Sequence, residues 1–128
     1  MAYSILKIMI NALSIAVAVR LVDGISFAGE WWKMIAIGAV FGIVNSFIKP
    51  IVTIFAIPLI VLTLGLFTLV INTLMLLLTA SLSEPLNLGL QVDGFGPAFK
   101  GALIISIVSI LLSWMTGLKK IKYYKHGG

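Results

Sequence analysis

The 128-residue chain has no cysteine, one histidine and only four acidic residues. The missing cysteines exclude a disulfide framework and any thiolate metal site. The histidine, His126, stands third from the end, where a solvated tail residue is expected rather than a base or a ligand. The acids Asp23, Glu30, Glu84 and Asp93 all fall between apolar segments, and none is paired at catalytic spacing within a helix. No glycine-rich loop follows a strand, so phosphate-loop chemistry has no support. These absences point away from an enzyme and imply neither a cofactor nor a metal. Charge is scarce as well: 10% of residues, against about 25% in soluble domains, too little to cover a water-facing surface.

What the chain has instead is apolar sequence, 61% of all residues, which places it among integral membrane proteins. The formal net charge of +5 could suggest nucleic acid, but the basic residues sit at the edges of apolar segments and in the tail. That placement is the mark of membrane orientation, so lipids are expected as partners and nucleic acid is not.

Residues 4–20 form the first apolar segment, bounded by Lys7 and Arg20, whose long side chains can snorkel to opposite interfaces. A cleaved signal peptide is the competing reading, with Ala16-Val17-Ala18 as a small-x-small site. Asp23-Gly24 signals a turn. Trp31 and Trp32 have the composition of an interfacial aromatic anchor. Residues 33–48 form the second helix, in which Gly38, Gly42 and Ser46 make a stripe of small residues at steps of four. Such a stripe lets two backbones approach closely, within one bundle or between two chains. Lys49-Pro50 is expected to end this helix.

Residues 51–82 then run for 32 positions without a charge, about 48 Å if helical, whereas about 20 residues span a bilayer core. The run is too long for one straight span and too short for two. With Pro50, Pro58 and Gly65 as bend candidates, it divides into a short apolar insert at 50–65, read as interfacial or re-entrant with a continuation of the second helix left open, and a third helix at 66–82. In the next interval Leu86, Leu88, Leu90 and Val92 alternate with polar or small residues, a period of two that marks an extended segment. Residues 98–118 form the fourth helix, with Ser106, Ser109 and Ser113 on one face. The tail, 119–128, carries Lys119, Lys120, Lys122 and Lys125, a cytoplasmic anchor for anionic lipid.

Short matches suggest an internal repeat. Ile10-Asn11-Ala12-Leu13 corresponds to Ile71-Asn72-Thr73-Leu74, 61 residues on. Val22-Asp23-Gly24 corresponds to Val92-Asp93-Gly94, 70 residues on, so the second loop is nine residues longer. The fold expected is therefore all-α and membrane-integral. Four transmembrane helices form two parallel helix–loop–helix repeats, a single domain. The turns Asp23-Gly24 and Asp93-Gly94 would lie on the outer face and meet as short extended segments. With both termini in the cytoplasm, the inner side holds Lys7, Lys49, Lys119, Lys120, Lys122 and Lys125, while Arg20, Lys33, Lys100 and all four acids lie outside. This satisfies the positive-inside rule for a multi-pass bacterial inner-membrane protein.

The polar residues within the apolar segments are Asn11, Asn45 and Asn72, together with the serine face of the fourth helix. They serve either as interhelical hydrogen-bonding glue or as the lining of a pore or substrate path.

Lys49-Pro50, the stretch LTLGLF at 62–67, Asn72 and Val92-Asp93-Gly94 together resemble the bacterial four-span phage holin-like family, holin superfamily IV. The resemblance runs from Asn11 to about Leu118 and implies self-association and membrane permeabilisation. Two alternatives remain: a non-lytic envelope-associated structural or partner-binding protein, and a small channel or transporter.

Overall fold

The computed structural model describes residues 2–116. Its elements are α1 (Ala2–Leu21), β1 (Ile25–Phe27), α2 (Trp31–Ile43), a π turn (Val44–Ile48), α3 (Lys49–Leu62), α4 (Phe67–Ser83), β2 (Leu90–Val92) and α5 (Phe95–Met115). Since α2, the π turn and α3 run on as one helix, Trp31–Leu62, the described residues form four helical rods. Three of them, Ala2–Leu21, Trp31–Leu62 and Phe95–Met115, are long and apolar enough to cross a membrane. The fourth, α4, is a shorter apolar helix of 17 residues, about 26 Å long. The rods close into a ring in which α1 touches α2 and α5, and α4 touches the same two.

The second rod departs from the sequence expectation. Lys49-Pro50 does not end it, and the 50–65 insert is not a separate segment: helix continues to Leu62 through both Pro50 and Pro58. Two physical reasons account for this. Pro50 stands in the first turn of α3, after the π turn has shifted the bonding pattern so that the Lys49 N–H donates to the Val44 carbonyl. Pro50 thus falls where the wide π turn has already displaced the regular i−4 bonding, and its missing N–H costs less there than in an unbroken α-helical stretch. Pro58 is flanked by apolar residues, and in hydrocarbon a broken helix would expose several unpaired backbone groups where continuing it leaves one.

The chain turns instead at 63–66. Leu64 adopts a left-handed conformation (φ 57°) and Gly65 follows at φ 92°. The Gly65 N–H donates to the Ile60 carbonyl and the Leu64 N–H to the Val61 carbonyl, the paired bonds of a Schellman C-cap. The Thr63 hydroxyl accepts the Phe67 N–H at 2.9 Å, capping α4. Every backbone N–H from Thr63 to Leu69 has a protein acceptor. The donors of the turn therefore need no water, although its Leu62, Leu64 and Leu66 are exposed. Leu64 has the side chain least suited to its φ. Leu64→Gly is expected to stabilise the fold by about 1 kcal/mol, read as a higher unfolding midpoint in detergent.

At the other end of the ring the two loops meet. β1 and β2 pair antiparallel, with Ile25 opposite Val92, Ser26 opposite Gln91 and Phe27 opposite Leu90. The Asp93 N–H donates to the Gly24 carbonyl at 2.7 Å, which sets the two Val-Asp-Gly triplets side by side. Of the alternating leucines, Leu88 and Leu90 are buried and only Leu90 is in the strand; Leu86 is exposed. Ser83 ties the ribbon to α4: its hydroxyl accepts the Leu90 N–H at 3.0 Å and its carbonyl accepts the Leu88 N–H.

Beneath the ribbon, Ile15, Ala18, Val22, Ile25, Ile37, Leu76, Leu90 and Ile105 pack into a continuous apolar core. A smaller cluster, Val44, Ala56, Ile71 and Met75, joins α3 to α4 and the π turn. Gly38 lets α1 and α2 approach. A Cβ there would lie 2.8 Å from the Ile8 carbonyl oxygen and 2.9 Å from the Ala12 nitrogen, closer than real side-chain carbons come. The small-residue stripe thus serves a contact inside one chain.

Candidate functional site

Five of the polar positions singled out in the apolar segments converge on one cavity of about 330 Å3. Asn11 enters from α1, Asn45 from the π turn, Asn72 from α4, and Ser106 and Ser109 from α5. Lys49, at the start of α3, supplies the cavity's cationic group, and Phe41, Ala102, Ile105 and Ile110 line the remainder. The convergence follows from the ring: each rod presents one polar step to the same level of the interior. On α1 the step is Asn11, buried, with its amide Nδ2 3.5 Å from the Gly38 carbonyl, a long and weak contact. The Gly42 backbone lies under the same amide, 3.2 Å from where a Gly42 Cβ would stand.

Ser14 was not evident from sequence, although it lies three residues after Asn11 and so shares its helix face. It is fully buried, donates to the Ile10 carbonyl at 2.7 Å, and meets Ser109 hydroxyl to hydroxyl at 2.9 Å. This bond ties α1 to α5 beside the cavity. Ser14→Ala and Ser109→Ala are each expected to cost about 1 kcal/mol. The double variant should cost less than the sum of the two, and a double-mutant cycle on detergent unfolding reads the coupling.

Lys49 belongs to the site for a reason tied to the uninterrupted helix. Four residues after Asn45, it shares a face with that residue only if the helix continues past residue 48. Ser113 is not part of the cavity; its carbonyl accepts the Thr116 hydroxyl near the end of α5. Gly38 is buried against α1, and Ser46 is exposed. Ser46 lines a second cavity of about 270 Å3 between α1 and α2, with Ser4, Lys7 and Asn11. Asn11 thus stands between the two cavities, and neither is lined by an acidic residue.

Toward the ribbon the polar lining stops. One turn on from Asn11 comes Ile15, one turn from Asn72 comes Leu76, and one turn back from Phe41 comes Ile37, all essentially without exposure. The cavity is therefore blind at that end.

The remaining candidates lie elsewhere. Pro50 and Pro58 are within α3, Gly65 is in the 63–66 turn, and Asp23, Gly24, Asp93 and Gly94 flank the ribbon. Trp31 and Trp32 are exposed at the start of α2, where the Trp32 indole donates to Glu30 at 2.9 Å and Lys33 lies over its ring at 5.8 Å. Lys119, Lys120, Lys122 and Lys125 fall outside the described residues.

A third cavity, about 380 Å3, lies under β2 and is lined by Ser81, Glu84, Asn87, Gln91 and Asp93 among others. Among the described residues, no three His, Asp or Glu side chains gather closely enough to hold a metal.

The family described as mycobacterial 4 TMS phage holin, superfamily IV, matches residues 3–111. An uncharacterized protein of Streptomyces coelicolor is 47% identical over 114 residues, which covers 85% of this chain and 91% of that protein. An uncharacterized membrane protein of Bacillus subtilis, YvlD, is 36% identical over 106 residues, 83% of this chain and 86% of its own. No solved structure matches the chain significantly.

Proposed function

The chain belongs to the mycobacterial four-span phage holin family of superfamily IV, and from that premise we propose that it is a self-associating subunit of the bacterial inner membrane. Both termini face the cytoplasm and the ribbon faces outward. Any permeation runs between assembled copies and not through one chain. The observation that carries this last point is the blind cavity: Ile15, Ile37 and Leu76 seal the interior between the polar layer and the ribbon. A single-chain channel would need a continuous polar path, and this apolar layer stands against it. The orientation is supported by the count of basic residues: Lys7, Lys49 and the tail lysines Lys119, Lys120, Lys122 and Lys125 fall on the inner side, against Arg20, Lys33 and Lys100 at the ribbon end. The turn at 63–66, whose N–H groups are all bonded within the protein, suits a hairpin held at the inner interface. In this reading the protein has no enzymatic role.

Graded expression with a membrane-impermeant dye, alongside subunit counting by single-molecule photobleaching, tests the proposal. Dye entry that rises with multi-copy assemblies supports it. Assemblies that leave the barrier intact at high expression leave the non-lytic envelope role as the reading. Dye entry with the protein strictly monomeric would overturn it.

A further inference from the structure

We propose that the cavity at Lys49 binds an anionic phosphate-type group, from a phospholipid headgroup or a free phosphate. The cavity carries polar groups without protein partners. Among the described residues, the Asn45 and Asn72 amides, the Ser106 hydroxyl and the Lys49 ammonium line one space, and none of them bonds to another protein group. All four are half-buried, with polar atoms that open into the cavity rather than being enclosed by protein, and within a membrane-embedded bundle such groups need a partner that the protein does not supply. An ammonium offers three donors and each amide two, while no carboxylate lines the space to accept them. The amides and hydroxyl also carry acceptor oxygens, so the charge decides: an ammonium with no carboxylate beside it favours an occupant rich in negatively charged oxygen over a cation or an apolar ligand. Lysine is a point-charge binder of phosphate, and amides and hydroxyls complete the shell.

The volume agrees, since about 330 Å3 exceeds a bare phosphate and accommodates a small phosphorylated headgroup. The neighbouring cavity strengthens the field, because it meets the first at Asn11 and adds a second ammonium, Lys7, again with no acid. The four acidic side chains are held at the ribbon and loop end, which leaves the positive potential at Lys49 uncompensated. The site is independent of whether assembled copies permeabilise a membrane.

The test uses the full chain purified in a neutral detergent and then delipidated. Thermal unfolding and native mass spectrometry would follow titration with inorganic phosphate, with short-chain phosphatidylglycerol, and with short-chain phosphatidylcholine as the zwitterionic control. Binding of phosphatidylglycerol above phosphatidylcholine, weakened about tenfold or more in Lys49→Gln, is the expected result. Displacement of that lipid by inorganic phosphate would assign the site to the free anion; resistance to displacement would assign it to the headgroup. Lys49→Arg, which keeps the charge, should retain binding and controls for folding. Lys100→Gln, exposed on α5 near the ribbon end, should bind as the parent does. The proposal is overturned if neither anion binds above the phosphatidylcholine control, which would make the occupant water alone, or if a folded Lys49→Gln binds as tightly as the parent.

Discussion

Gly38→Leu is expected to destabilise the bundle by about 3 kcal/mol or to prevent its assembly. The new side chain would begin 2.8 Å from the Ile8 carbonyl oxygen and 2.9 Å from the Ala12 nitrogen. Both are backbone atoms of α1, so no rotamer change in α1 can make room. The two helices must separate, and the Asn11 contact with the Gly38 carbonyl goes with them. Gly96→Ala is the matched control, because no atom lies within 4 Å of a Cβ at that position. It should be neutral or slightly stabilising, as expected for glycine replaced in a helix. Unfolding by sodium dodecyl sulfate from a mild detergent measures both. Equal stability of the two variants would refute the close α1–α2 contact.

Leu76→Ala should cost about 2 kcal/mol by the same measurement. Leu76 has no exposure and packs against α5 where that helix has only Gly101: a Cβ there would stand 3.1 Å from Leu76 Cδ2. Gly101 has no side chain to relax inward, and the Ile25 side chain already seated over it can fill only part of the void left by Leu76. The figure lies at the low end for a buried leucine because the unfolded helix remains in lipid. The water-transfer part of the loss then falls away and the cavity part remains. A loss below about 0.5 kcal/mol would mean that the apolar layer sealing the cavity is looser than its burial implies.

Those contacts show how far the sequence could be read. The helices were legible because hydrocarbon demands long uncharged runs: residues 4–20 and 98–118 correspond closely to α1 and α5 as far as the latter is described. The small-residue stripe at Gly38 and Gly42 was legible for a steric reason, although its partner helix was not. The two Val-Asp-Gly triplets marked the loops that touch, and β2 comes from the longer second loop.

The path of residues 49–66 was not legible. Proline marks a helix stop in water, where a freed carbonyl finds another partner. In an apolar setting the helix continues, and the turn falls at a leucine in a conformation that favours glycine. That one difference hid the role of Lys49, because a helix ending at residue 48 separates it from Asn45. Ser14 was hidden differently: a lone serine in an apolar segment gives no sign of the helix its hydroxyl meets, and only the bundle shows Ser109 opposite it.

The proposed orientation puts the ribbon outside and the Lys7 and Lys49 end inside. The chain has no native cysteine, so single cysteines report position cleanly. The most direct measurement is labelling of Gln91→Cys and Lys7→Cys with a membrane-impermeant maleimide, in intact cells made permeable only at the outer envelope and again after lysis. Gln91→Cys, exposed in β2, should react in intact cells, and Lys7→Cys should react only once the inner membrane is broken. Labelling of Lys7→Cys in intact cells while Gln91→Cys stays protected would contradict the orientation, and with it the cytoplasmic placement of the cavity.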